Sequence, residues 1–184
     1  KLAGGLLVFT LINSSVVCLL LRIKQALLND TSVIGIYMFY NLVFAVFSFH
    51  LGIIADKIGL KKIFITGLLL FAVVYFGIAV NKNMYVFFAL FFFYGIYAAA
   101  TEGISKAWIS NIVSNNQTAT AIGTYSAFQS LGTMVASTLA GFLWFRFGAA
   151  TAFFTTAAAT ILIIIYFLFA VKPPQKDGVI EEIK

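Results

Sequence analysis

The stretch "HLGIIADKIGLKKI", His50 to Ile63, decides how this chain is read. Only 10% of the 184 residues are charged, yet Asp56, Lys57, Lys61 and Lys62 crowd into seven positions. Apolar runs flank the cluster on both sides, and glycines stand within it at Gly52 and Gly59. Charge is driven out of hydrocarbon towards the interface, so this pattern predicts a short polar turn between two membrane-crossing helices.

Composition agrees. The chain is 62% hydrophobic and 17% aromatic, with a mean hydropathy of +1.03, far from a soluble domain that is about half apolar. The reading is an integral membrane protein. A single Cys18 allows no intrachain disulfide, and the lone His50 leaves little for metal or triad chemistry, so no metal, cofactor or enzymatic activity is expected. A net charge of +6 is assigned to orientation and anionic lipid, not to nucleic acid. The chain opens on Lys1 and carries no cleavable signal pattern, as expected of a piece of a longer protein.

Polar clusters divide the sequence into six apolar segments at about 3–21, 33–55, 63–80, 84–103, 119–145 and 147–171, followed by a charged tail at 172–184. Backbone in hydrocarbon must satisfy its own hydrogen bonds, and period-2 alternation is absent, so the expectation is an all-α bundle of six transmembrane helices. Eight lysines fall on one side (Lys1, Lys57, Lys61, Lys62, Lys106, Lys172, Lys176, Lys184), against Arg22, Lys24, Lys82 and Arg146 on the other. The richer side is predicted to be cytoplasmic, with both termini and the tail on it.

The chain also resembles itself. "IGIY" (34–37) and "GIIADKIG" (52–59) match "IGTY" (122–125) and "GFLWFRFG" (141–148) at offsets of 88 and 89 residues, close to half the length. The matched turns fall on opposite faces. Three spans followed by three inverted spans is a pattern of secondary transporter folds.

The run from Gly52 to Lys62 resembles the loop motif of the major facilitator superfamily: Gly52, Asp56, Lys57, Gly59, Lys61 and Lys62 fill each of its positions. "FYGIYAAATEGISKAWISNIV" and "FTLINSSVVCLLLR" look like the fourth and first spans of a C-terminal half from a bacterial branch. The resemblance implies helices seven to twelve of a twelve-helix transporter in a bacterial cytoplasmic membrane. Its partners would be the bilayer, a small-molecule substrate, and a missing N-terminal half or a second copy. Two residues depart from the branch. Val16 stands where an acid is common, which counts against a substrate or proton role for this helix, and His50 replaces a proline.

Within the motif, Gly52 would allow close helix contact, Gly59 suits a turn needing positive φ, and Asp56 could latch to Lys57 or a helix N-terminus in only one transport state. The plainer reading is a topology signal with solvated lysines. Glu102, four residues before Lys106 on one helical side, is either a gate salt bridge to Lys106 or to the motif lysines, or a proton carrier; the salt bridge is favoured because Glu102 sits near the inner face. Asn13, Ser14, Ser15, Asn41, Tyr94, Tyr97 and Gln129 are mid-span polar groups, able to line a substrate cavity or simply to bridge helices. Arg22, near the outer end, either attracts an anionic group or snorkels to the interface.

The nearly pure apolar segments three and six are expected to face lipid on the outside of the bundle. The function expected is alternating-access transport of a small molecule, with a weak lean towards proton-coupled efflux whose coupling acid lies on the other half. The alternative is a non-transporting six-span scaffold.

Overall fold

The computed structural model describes residues 2–13, 16–27, 30–81 and 83–170. Ser14, Ser15, Lys82 and the charged tail lie outside the described residues, as does Lys1. Seven α-helices follow in order: α1 (Leu2–Thr10), α2 (Val16–Leu27), α3 (Asp30–Ile58), α4 (Leu60–Val80), α5 (Met84–Ser110), α6 (Thr118–Phe147) and α7 (Ala149–Ala170). A single 3₁₀ turn, Asn115–Gln117, leads into α6. No strand occurs among the described residues.

Four helices are long and apolar enough to cross a membrane: Thr31–Ile58, Leu60–Val80, Met84–Ser110 and Ala149–Phe169. The shortest has 21 residues, and at 1.5 Å per residue that spans about 30 Å, the hydrocarbon thickness of a bilayer. Helix α6 is longer still at 30 residues, but Thr, Ser and Gly dilute its apolar character.

The first apolar segment, expected as one helix, is interrupted. Helix α1 stops at Thr10, Leu11–Asn13 are non-helical, and α2 starts at Val16. The amide of Asn13 still donates to the Phe9 carbonyl at 3.0 Å, closing the last turn of α1. Asn and Ser side chains compete for backbone partners, which weakens a helix interior at such a run.

Packing centres on α4 and α5. Helix α4 lies against both α5 and α7, α3 rests on α5, and α1 sits against α6 and α7. Being apolar all round does not make α4 peripheral. Phe64, Leu68, Phe71, Val74, Tyr75 and Ile78 form its buried stripe, while Leu69, Val73, Phe76 and Val80 point outward. Only that outward face meets the expectation of a lipid-facing span. Aromatic rings tie the layers together: Phe71 meets Tyr75 at 4.1 Å and Tyr97 at 4.6 Å, and Phe64 meets Phe167 at 5.0 Å. Such edge and tilted pairs add to the burial itself.

The sequence "SKAWIS" looks like the start of a polar loop, yet α5 continues to Ser110. Its Trp108 is 1% exposed and packs on Phe64 and Phe167 at 6.1 and 6.3 Å. One buried aromatic face outweighs the polar letters beside it. Close approach sets the crossing of α3 and α5, where a Cβ on Gly95 would come within 2.7 Å of Val43 Cγ1 and 3.2 Å of the Tyr40 carbonyl.

Candidate functional site

The charged turn between α3 and α4 is one residue long. Gly59 has φ 102° and ψ 134°, a conformation that side chains with a Cβ rarely adopt. Its amide donates to Ala55 O at 2.8 Å, completing α3, and α4 begins at the next residue. Gly148, the matched glycine of the other half-chain, has φ 89° and ψ 162°, and its amide donates to Trp144 O at 2.9 Å. The two turns share one geometry.

Around Gly59 the motif charges are distributed unequally. Asp56, Lys57 and Lys62 are exposed. Lys61 is half-buried, and its Nζ donates to the carbonyl of Leu168 in the last turn of α7, at 3.3 Å. Cations are favoured there because the final carbonyls of a helix carry partial negative charge and lack intrahelical partners. Gly52 has open space where a Cβ would be, so no close helix contact depends on it among the described residues.

Glu102 and Lys106 lie one turn apart on α5, both exposed, with the lysine within electrostatic reach of the carboxylate. Glu102 also acts on Tyr40 of α3, Tyr94 and Tyr97 of α5, and Tyr125 of α6. Glu102 is the sole acid of α5, and tyrosines of three helices lie within its electrostatic range. Ser105 Oγ donates to Thr101 O at 2.7 Å and lies near the Tyr125 hydroxyl of α6. Sequence reasoning missed Tyr40, Tyr125 and Ser105. The signal available was the repeat, in which Tyr125 is the last residue of "IGTY".

The described candidate cavity residues occupy different settings. Tyr94 and Tyr97 are 4% and 2% exposed and pack as tilted rings within the core, 5.3 Å from each other, with Tyr40 5.2 Å from Tyr94. Asn41 is exposed on α3, its Nδ2 donating to Tyr37 O at 2.8 Å. Asn13 and Gln129 are half-buried, and Ser14 and Ser15 lie outside the described residues. Arg22 is half-buried on α2, with a buried Nε that has no hydrogen-bond partner. Two apolar grooves flank α1: one of about 480 Å³ against α7, lined by Gly5, Val8, Leu162 and Tyr166 among others, and one of about 220 Å³ against α6. No candidate polar residue among the described residues lines either groove. Among the described residues, no group of His, Cys, Asp and Glu could hold a metal ion.

Long apolar helices, one-residue glycine turns and a charged cluster at a helix junction define an all-helical integral membrane protein. The profile of the Major Facilitator Superfamily matches residues 2–184, and the chain belongs to that family. It is also 34% identical over 143 residues to an uncharacterised MFS-type transporter of Methanocaldococcus jannaschii. That alignment takes in 74% of this chain and 36% of the relative's length.

Proposed function

We propose that this chain is one six-helix half of a secondary transporter that carries a small molecule by alternating access, the two halves rocking around a shared site. Family membership over residues 2–184 is the observation that carries this reading. The near-identical turns at Gly59 and Gly148 support a 3+3 inverted repeat within the half. Helix α3 exposes Ile34, Met38, Leu42, Val46, Phe49 and Ile53, and α6 exposes Phe128, Leu131, Val135, Leu139 and Phe142. These stripes suit a second half, or a second copy, packed beside lipid.

In this reading the charged turn at Asp56–Lys62 and both termini face the cytoplasm of a bacterial cell. The turn, with Glu102 and Lys106, gates the inner side; Asn13, Ser14, Ser15, Arg22, Asn41, Tyr94, Tyr97 and Gln129 are the residues from which the cavity is drawn. Proton-coupled efflux is the direction and energy source the proposal adopts, with the coupling acid on the other half. The test is flux in proteoliposomes of the native protein under an imposed proton gradient. Solute movement that follows the gradient supports the proposal, and its absence for every solute class tried removes it.

The burial of Tyr94 and Tyr97 favours a second reading, a six-span scaffold without transport. A bulky substitution at the half-buried Asn13 would then leave function intact.

A further inference from the structure

We propose that the segment following α7 docks back on the α3–α4 turn, with Asp177, Glu181 and Glu182 set against Lys57 and Lys62. The inference goes beyond the transporter reading and does not rest on it. Three helix ends meet at this end of the bundle. Trp108, near the end of α5, packs on Phe64 of α4 and Phe167 of α7, with ring centroids 6.1 and 6.3 Å away. Lys61 Nζ reaches the carbonyl of Leu168 at 3.3 Å. Among the described residues this end carries Lys57, Lys61, Lys62 and Lys106 against two acids, Asp56 and Glu102. Lys57 and Lys62 are exposed on either side of Gly59.

The chain beyond α7 has the complementary pattern. Residues 171–184 read "VKPPQKDGVIEEIK", with Lys172 and Lys176 nearer the helix and the acids gathered further on at Asp177, Glu181 and Glu182. Lysines next to a helix C-terminus suit its partly negative carbonyls, which leaves the acidic stretch to find cations elsewhere. Pro173 and Pro174 disfavour continuation of the helix. Asp177 is seven residues beyond Ala170, up to about 23 Å of extended chain. Helix α4, which carries Lys62, packs directly on α7, and Gly59 alone joins it to α3. Packed helix axes lie about 8–10 Å apart, so Lys57 and Lys62 stand within about 20 Å of the end of α7, and all three acids can reach them. Apolar groups match as well. Ile54 and Ile58, 41% and 48% exposed and one turn apart beside Lys57, meet Val179, Ile180 and Ile183, which are interleaved with the acids. Exposed ion pairs are individually weak. A short tether, however, raises the local concentration of the acids to about the millimolar range, so weak pairs suffice to populate the docked state.

The test uses the native protein in neutral detergent. A carbodiimide couples a carboxylate to an amine already in contact with it, forming an amide with loss of water. Mass spectrometry of the peptides should find Asp177, Glu181 or Glu182 joined to Lys57 or Lys62, with no such link to Lys24 of α2. Raising salt from about 0.1 M to about 1 M shortens the screening length from about 10 Å to about 3 Å and should cut the yield severalfold. Mixing isotopically light and heavy protein separates links within one chain from links between copies. A second readout is the acetylation rate of the lysines. Asp177→Asn with Glu181→Gln and Glu182→Gln leaves the bundle untouched and should raise the rate at Lys57 and Lys62 severalfold, with Lys24 unchanged. Links that are absent, insensitive to salt, or found only between light and heavy copies overturn the proposal. So does acetylation that the triple variant leaves unchanged; if nanodiscs containing phosphatidylglycerol then slow it relative to phosphatidylcholine alone, the lysines face lipid headgroups instead.

Discussion

Lys61, in the first turn of α4, donates its Nζ hydrogen to the carbonyl of Leu168 in the last turn of α7, 3.3 Å away and 107 residues on in the chain. A lysine of the charged motif thus holds the end of the final helix. Charge at a helix C-terminus contributes about 0.3–1 kcal/mol. Replacing Lys61 with Met, which keeps much of the stem but loses the charge, should lower the melting temperature by a degree or a few. Arg at this position should restore it. A melting curve for Lys61→Met identical to wild type would remove the clamp.

The paired turns give a sharper contrast. Gly59 and Gly148 both hold positive φ, whereas Gly52 is helical with open space around its Cβ position. Alanine at Gly59 or Gly148 should destabilise by about 1–2 kcal/mol, the cost of the left-handed region for a residue with a Cβ. Alanine at Gly52 should be neutral or slightly stabilising, since it adds helix propensity without a clash. Thermal melts of the three variants check this ranking, and equal losses at all three sites would contradict it.

Much of the fold was legible because hydrocarbon imposes so few choices. Segments 63–80 and 84–103 emerge as α4 and α5 with the same or nearly the same starting residues, since Gly59, Asn81 and Asn83 punctuate them. What composition could not give was which apolar face packs. Helix α4 is apolar all round, so nothing in its letters distinguishes Phe71, which is buried, from Val73, which is exposed. The motif's location at a helix junction was readable; the reach of Lys61 to Leu168 was not, because it joins positions far apart in sequence. Tyr94 and Tyr97 were selected as mid-span hydroxyls, but a tyrosine ring is also a large hydrophobe, and here its ring contacts dominate.

Trp108 offers a test of where α5 ends. It is fully buried between Phe64 and Phe167, beyond the point at which hydropathy fades. Trp108→Ala should cost about 3–5 kcal/mol, the range for removing a large core aromatic, whereas Trp108→Phe should retain most of the stability. If Trp108→Ala melted within a degree of wild type, the C-terminal end of α5 would not be packed as described.

Asp56 carries the remaining question about the motif. It is exposed, as are Lys57 and Lys62, so in this arrangement the carboxylate is open to a partner. A contact made in only one of two rocking states shifts their equilibrium by its differential energy and by nothing else. For a coupling of about 1–3 kcal/mol, losing it changes the ratio of states by about 5–150-fold. Asp56→Asn keeps shape and polarity but removes the charge, so it isolates that term. The measurement is the inward-to-outward population ratio, read from spin-label distances across the two faces of the native protein, together with the transport rate. A rise in the inward-open population with altered flux assigns Asp56 to a latch on the inner gate. Unchanged populations and flux would leave it as a solvated charge that orients the turn, and the alternating-access reading would then need its gate contacts at Glu102 and Lys106 instead.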